Sequence, residues 1–164
     1  MDISFLGAGS LFAFMPLLGL LKGISPDISP SLLKALDEMG HGDEILIADA
    51  HFPAYRYSKN VIRADGLTAD RLLKGIAPLI ELDNMTTPVA MMEASAGDRL
   101  DPAVEARYRK ALNYTGKIVF EERQAFYERA SRAFAVVLSG ETAPYGNVII
   151  RKGVTPVTKE GAEK

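Results

Sequence analysis

The sequence contains no cysteine and only two histidines, His41 and His51. A disulfide framework, a thiolate nucleophile and thiolate metal ligands are therefore excluded, and we do not expect a histidine-rich metal site. Runs of like charge are also absent, and the formal net charge of -2 lacks the basic excess that is typical of nucleic-acid-binding domains. We therefore expect neither a bound metal nor a nucleic-acid partner.

The sequence does contain enough apolar material for one folded domain. The chain has 164 residues, of which 48% are hydrophobic and 24% are charged, a composition typical of globular proteins. From Lys22 onward, patterns typical of strands alternate with patterns typical of helices of 10 to 15 residues. This alternation predicts a single α/β domain of three layers, in which helices cover both faces of a central, mostly parallel sheet.

The first 20 residues differ from this pattern. Residues 3–21 form an almost wholly apolar run, which just reaches the length of about 20 residues that a transmembrane helix needs, but three glycines and a proline interrupt it. A secretory signal requires a basic start, whereas the only charge here is Asp2. We interpret residues 1–20 as an extension upstream of the ancestral start, 21–156 as the domain and 157–164 as a polar tail. We expect a cytoplasmic protein without a membrane partner, the alternative being a membrane anchor at residues 3–21.

Capping residues predict where the helices begin. Ser29 followed by Pro30, and Asp101 followed by Pro102, are each typical of an N-cap and the first helical residue. The other two helices are predicted to start at Thr68 and at about residue 122. Apolar and β-branched runs predict strands at 44–48, 88–94, 117–120, 133–138 and 147–151.

Ligands of such folds bind beyond the carboxyl ends of the strands, which points first to the loop at 49–53. Asp49 directly follows a predicted buried strand, where it could hold a sugar hydroxyl or orient an imidazole, and His51 follows it. An Asx turn is the alternative interpretation of Asp49, because aspartate favours such turns without any ligand.

A second candidate group lies later in the chain. Arg123 and Tyr127 fall on the fourth predicted helix, and Tyr145 and Asn147 fall in the turn before the last strand. Tyrosine and asparagine offer neutral donors and acceptors suited to a polyhydroxylated ligand, although the same residues could simply form a turn into the strand. Phe126 is expected in the core.

A third candidate is His41, which stands between two glycines, so a ligand could approach its side chain closely. Histidine titrates near neutral pH, which suits proton transfer. The alternative is that His41 only complements the carboxyl end of the first helix, where positive charge is favourable.

Six short motifs in the same order resemble those of the L-fucose mutarotase and D-ribose pyranase family. They are Leu-Lys-Gly-Ile-Ser-Pro at 21–26, Gly-His-Gly-Asp-Glu at 40–44, Asp-Ala-His-Phe-Pro at 49–53, Ile-Arg-Ala-Asp-Gly at 62–66, Phe-Tyr-Glu-Arg-Ala at 126–130 and Tyr-Gly-Asn at 145–147. The likeness covers about Leu21 to Pro156. The segment at 126–130, with Arg123 before it, resembles the fucose branch of the family.

The resemblance implies a role for each candidate residue. His41 corresponds to the histidine that acts as the acid, Asp49 and Arg123 to residues that contact the sugar, and Tyr145 and Asn147 to the closing turn. Tyr127 and His51 are further candidates: Tyr127 resembles an active-site tyrosine, and either residue, or a water, could accept the proton. Members of the family form homo-oligomeric rings, often decamers, with the site near a subunit boundary.

We therefore predict a sugar mutarotase that interconverts the α and β anomers of L-fucose or a related pyranose. Ring opening and closure need only a proton donor and a proton acceptor, so we expect no cofactor and a monosaccharide as the only small-molecule partner. The alternatives are a D-ribose pyranase, which converts pyranose to furanose forms, and a sugar-binding sensor without turnover.

Overall fold

The computed structural model describes residues 20–157. Our interpretations of residues 1–19 and of 158–164 therefore lie outside the described residues. Within the described range, none of the helices is both long and apolar enough to cross a membrane.

Helices and strands alternate along the described chain, as the sequence predicted. The helices are α1 (Pro30–Glu38), α2 (Ala54–Tyr57), α3 (Ala69–Ile76), α4 (Pro102–Leu112) and α5 (Arg123–Arg132). The strands are β1 (Glu44–Ala48), β2 (Val61–Ala64), β3 (Val89–Met92), β4 (Val119–Glu121), β5 (Ala135–Ser139) and β6 (Val148–Arg151).

The six strands form one mixed sheet in the order β2-β5-β1-β6-β3-β4. Strand β6 is antiparallel to its neighbours β1 and β3, and all other pairings are parallel. Strands β1 to β5 therefore end at one end of the sheet, where β6 begins. We call this the carboxyl end of the sheet and the opposite one the amino end.

Successive residues of the buried strands point to opposite faces of the sheet, and both faces are covered. Ile45 and Ile47 of β1 belong to a large core that includes apolar residues of α1, α3 and α4. Leu46 and Ala48 belong to a smaller core with Phe126 of α5 and part of α2. This arrangement confirms the predicted three-layer α/β fold and the position of Phe126 in the core.

The helix starts predicted at Ser29 and Asp101 are confirmed by their capping hydrogen bonds, whereas Thr68 precedes its helix without a side-chain cap. The Ser29 side chain accepts a hydrogen bond from the backbone N–H of Leu32 at 3.2 Å, and Asp101 accepts one from Ala103 at 2.9 Å. Each bond satisfies one of the backbone donors that a helix start leaves without a partner.

Two short elements were not predicted. Strand β2 has four residues at the margin of the sheet, and only its Ile62 is buried, so its sequence lacks a strong apolar signal. Helix α2 has four residues and lies in a stretch whose sequence predicts no regular structure. Its length of about one turn leaves no room for a helical period to repeat.

Candidate functional site

A cleft of about 210 Å³ opens at the carboxyl end of the sheet. It collects side chains from the loops after β1 and β3, from the start of α5 and from the turn before β6, as expected from the strand-end rule. The lining residues are Asp49, His51, Phe52, Met92, Asp98, Arg123, Tyr127, Pro144, Tyr145 and Asn147. Six of the seven residues that the sequence singled out therefore lie together.

Asp49 and Asn147 form a reciprocal hydrogen-bonded pair on one wall of the cleft. The amide Nδ2 of Asn147 donates to Oδ2 of Asp49 at 2.7 Å, and the backbone N–H of Asp49 donates to Oδ1 of Asn147 at 2.9 Å. The pair arises because β6 runs antiparallel to β1, so Asn147 enters β6 beside the point where Asp49 leaves β1. The asparagine amide is thereby fixed in one orientation.

Asp49 both forms an Asx turn and lines the cleft, so the two interpretations of this residue hold together. Its Oδ1 accepts the backbone N–H of His51 at 2.9 Å, which is the Asx turn, while its carboxylate also lines the cleft. Asp49 is only 5% exposed, and this burial raises its pKa above the ordinary value, against the lowering effect of its hydrogen bonds. A carboxyl group of this kind can accept hydroxyl hydrogens from a ligand and can also hold a proton more readily than an exposed aspartate.

Another part of the cleft wall is aromatic. The ring of Tyr127 stacks on Tyr57 at a centroid distance of 4.7 Å and meets the edge of Phe52 at 5.5 Å. The Arg123 guanidinium lies 6.0 Å from the centre of the Tyr127 ring. The cleft therefore offers an apolar surface beside charged and neutral hydrogen-bonding groups, which suits a ligand with one apolar and one hydroxylated face.

The turn before β6 has a backbone conformation that few residues adopt. Tyr145 has φ 61°, in the left-handed region that non-glycine residues rarely adopt. At the following Gly146, a Cβ atom would come within 2.9 Å of the Ala143 carbonyl oxygen, so only glycine fits without a shift. This backbone brings the side chain of Tyr145 to the cleft.

His41 is the one sequence-predicted residue that the chain does not bring to this cleft. It lies in the turn before β1, at the amino end of the sheet, so the length of β1 separates it from Asp49. Its side chain is 44% exposed, and its Nε2 lies 3.5 Å from Oδ1 of the buried Asp83. Hydrogen bonds from the Met85 backbone and the Thr86 hydroxyl hold that carboxylate and lower the pKa of Asp83.

Four lining residues were not predicted from the sequence: Phe52, Met92, Asp98 and Pro144. Met92 ends β3 and Asp98 lies in the loop that follows, so the strand-end rule applied to β3 would have found both. Phe52 lies in the loop at 49–53 and Pro144 in the turn before β6, both of which the sequence singled out. Neither side chain has a polar group, so neither was predicted to bind a ligand. Within residues 20–157, no three His, Asp or Glu side chains are grouped to hold a metal ion.

Comparisons with known proteins identify solved structures with the same fold. The chain is 40% identical to a fucose mutarotase from Streptococcus pneumoniae, solved in complex with L-fucose, with a TM-score of 0.78 and coverage of 83% of this chain and 100% of the other. It is also 40% identical to FucU from Bifidobacterium longum, with a TM-score of 0.78 and coverage of 82% and 100%. RbsD from Bacillus subtilis, complexed with D-ribose, shares the fold at 21% identity, a TM-score of 0.65 and coverage of 84% and 100%.

The family model described as the RbsD / FucU transport protein family matches residues 22–155, which include every residue of the cleft. The match spans most of the chain, and it agrees with the two relatives at 40% identity. The chain therefore belongs to the RbsD / FucU family.

Proposed function

We propose that this protein is a sugar mutarotase, an isomerase that interconverts the α and β anomers of L-fucose by acid/base opening and closure of the pyranose ring. The observation that carries the proposal is the cleft at the carboxyl end of the sheet. There a buried carboxyl, a fixed amide, a guanidinium and two tyrosines meet around a space of about 210 Å³. Family membership supports a sugar mutarotase or pyranase, and the fucose mutarotase relative supports the finer assignment.

The reaction needs two proton transfers and no electron transfer. One group removes the proton from the anomeric hydroxyl while another protonates the ring oxygen, so that the bond between the anomeric carbon and the ring oxygen breaks and an open-chain aldehyde forms. Rotation about the adjacent C–C bond and the reverse transfers then close the ring on the other face. Positioned proton transfer of this kind typically contributes about 10² to 10⁴ in rate.

In this proposal, Asp49, Arg123, Tyr145 and Asn147 hold the sugar hydroxyls through the cleft that they line. Tyr127 or His51, which line the same cleft, accepts the anomeric proton directly or through a water. The aromatic wall around Tyr127 packs against the apolar face of the sugar, which in L-fucose includes a methyl group.

The proton donor in the proposal is His41, supplied by a neighbouring subunit. One chain holds its own His41 at the end of the sheet opposite to its cleft, so His41 and Asp49 can act on one sugar only across a boundary between two copies. This geometry supports a homo-oligomeric ring, for which a decamer is our expectation, and it makes the oligomer part of the catalytic apparatus.

NMR exchange spectroscopy tests the proposal. The exchange rate between the α and β signals of L-fucose is measured with and without protein, with D-ribose in parallel. We expect faster fucose exchange that is lost in His41→Ala and in Asp49→Asn, whereas Asp65→Asn, an exposed carboxylate paired with Arg63, retains it. Acceleration of pyranose–furanose exchange of ribose alone would instead identify a pyranase, and sugar binding without any acceleration would identify a sensor.

A further inference from the structure

The turn that carries Tyr145 and leads into Asn147 is fixed by side chains that do not line the cleft. This turn spans residues 141–146, and nothing in the proposed chemistry uses its buried Glu141, which is 3% exposed. Oε1 of Glu141 accepts the backbone N–H of Ala143 at 3.0 Å, and its carbonyl oxygen accepts the N–H of Ala50 at 2.8 Å. Glu141 thus joins this turn to the loop that begins with Asp49.

Arg107 of α4 anchors the start of the turn. Both of its terminal nitrogens lie 3.1 Å from Oε2 of Glu141, and the same guanidinium contacts Asp70 at the start of α3. The pKa of Arg107 is raised: its carboxylate partners outweigh the lowering effect of burial. The carboxylate of Glu141 is therefore oriented by a charged partner on a rigid helix.

Tyr108, the next residue of α4, anchors the end of the turn. It is fully buried, and its hydroxyl donates to the Gly146 carbonyl oxygen at 2.7 Å. Burial raises the pKa of Tyr108 far above its ordinary value, so the hydroxyl keeps the proton that it donates. Gly146 lies between Tyr145 and Asn147, both of which line the cleft.

We propose that Arg107 and Tyr108 are positioning residues that fix the turn at 141–146, so that Tyr145 keeps its left-handed backbone and Asn147 keeps its bond to Asp49 before the sugar arrives. A residue such as Tyr145 keeps this backbone only when its surroundings over-determine it, because the left-handed conformation is strained for any residue other than glycine. Two consecutive helical side chains supply that restraint, one at each end of the turn. The role in sugar affinity rests on the proposed function, whereas the restraint on the backbone does not.

The test compares Tyr108→Phe with Tyr114→Phe. The Tyr114 hydroxyl also donates to a backbone carbonyl, that of Lys117 at 2.8 Å, but away from the cleft, so each variant removes one bond of the same kind. In the full-length protein, we expect Tyr108→Phe to raise the KM for L-fucose about tenfold, the equivalent of one lost hydrogen bond, while kcat stays within about twofold. Tyr114→Phe leaves both constants unchanged. A lower melting temperature with an unchanged KM would overturn the proposal.

Hydrogen exchange supplies a readout that needs no sugar. In Tyr108→Phe, the Gly146 amide, which donates to Ala143, is expected to exchange about tenfold faster than in the wild type, with no such change in Tyr114→Phe. Arg107→Lys should accelerate the Ala143 amide, with Arg109→Lys as its control, since Arg109 binds Glu105 and the Gly116 carbonyl instead. Unchanged exchange in both variants overturns the proposal, whether or not the protein acts on fucose. If the wild type fails to act on any sugar while exchange responds as expected, only the proposed function fails.

Discussion

The two ends of the sheet contain similar residue types but use them differently. At the carboxyl end, the charged groups of the cleft are few, and Asp49 is bonded to neutral partners, an amide and a backbone N–H. At the amino end, charges of opposite sign contact one another directly: Arg129 of α5 binds Glu44, the first residue of β1, at 2.8 Å. The same guanidinium also reaches Glu121, the last residue of β4, and so connects this network to the other end of the sheet.

The ion-pair network at the amino end extends to the last strand. Arg151 of β6 approaches Glu44 at 3.5 Å and Asp83 at 3.1 Å, the second contact being too oblique for a hydrogen bond and therefore Coulombic. His41, also beside Asp83, is the exposed member of this network. The comparison indicates that the charged side chains at the amino end pair mainly with one another. At the carboxyl end, polar groups instead line a space that a ligand can enter.

The largest expected effect concerns the separation of His41 from the cleft. His41→Ala and Asp49→Asn alone should each lose about 10²-fold or more of the fucose exchange rate. Co-expression of the two variants should restore activity, because in randomly mixed symmetric rings about one quarter of the boundaries join an intact His41 to an intact cleft. Anomer exchange of the co-expressed sample, compared with each parent, measures this.

The mixing experiment also has a clear negative outcome. If the mixed rings are as inactive as their parents although mass spectrometry shows both chains in one oligomer, His41 does not act across a boundary. The acid would then have to come from the cleft itself, where His51 is the candidate.

A smaller effect is expected within the aromatic wall of the cleft. Tyr127→Phe keeps the stacking on Tyr57 but removes the hydroxyl, so kcat for anomer exchange should fall about 10- to 100-fold if that hydroxyl accepts the proton. Tyr57→Phe is the matched control, because Tyr57 stacks on the same ring without lining the cleft. Equal activity of both variants would assign the proton acceptor to His51 or to a water.

For the ion pairs of Arg129, we expect an effect on stability rather than on the cleft. Arg129→Met leaves the half-buried Glu44 and Glu121 without this partner and should lower the free energy of unfolding by about 2 kcal/mol, somewhat less than for a fully buried pair. Arg63→Met, which breaks an exposed pair with Asp65, should change stability little. Urea titration measures both, and equal losses would show that the two ion pairs are equivalent.

The smallest effect is a dependence of stability on pH at Asp49. Burial raises its pKa in the folded state above 3.8, so at pH values between the unfolded and folded values the folded state holds a proton that the unfolded state has released. The contribution of Asp49 to the free energy of unfolding is therefore largest below about pH 4 and decreases as the pH rises through the folded value. Asp49→Asn removes this dependence.

Thermal melting of the wild type and of Asp49→Asn from pH 4 to pH 8 measures the difference. The melting temperature of the wild type minus that of the variant should decrease as pH rises. Asp83, whose pKa is lowered, has the opposite dependence but is present in both proteins and cancels. A difference that grows with pH would contradict the assigned direction.

The sequence predicted most of the sheet, and it singled out six residues that the fold brings to one cleft, because those signals are local. Buried strands such as β1 form continuous apolar runs, and caps such as Ser29 mark helix starts. Strand β2 was missed because its apolar pattern is too short, and the direction of β6 could not be read, since a strand has the same residue pattern in either direction.

The separation of His41 from the cleft follows from local signals, although the resemblance groups the two. The predicted strand at 44–48 stands between His41 and Asp49, so these residues belong at opposite ends of the sheet. The support given by Arg107 and Tyr108, by contrast, was not predicted, because these residues meet a turn more than 30 positions later in the chain. Side chains that act through such long-range contacts carry no distinct signal in their own neighbourhood.

The reversed direction of β6 has a consequence for where the chain can change its length. Strands β1 and β6 lie side by side, with Glu44 opposite Arg151 and Ile47 opposite Val148, so each strand has one end in the ion-pair network and the other at the cleft. An insertion of one residue in either strand would turn the side chains beyond it to the other face of the sheet and break the network and the cleft together. Insertions and deletions are therefore expected in the connecting loops, while these two strands set a fixed spacing between the ends of the sheet.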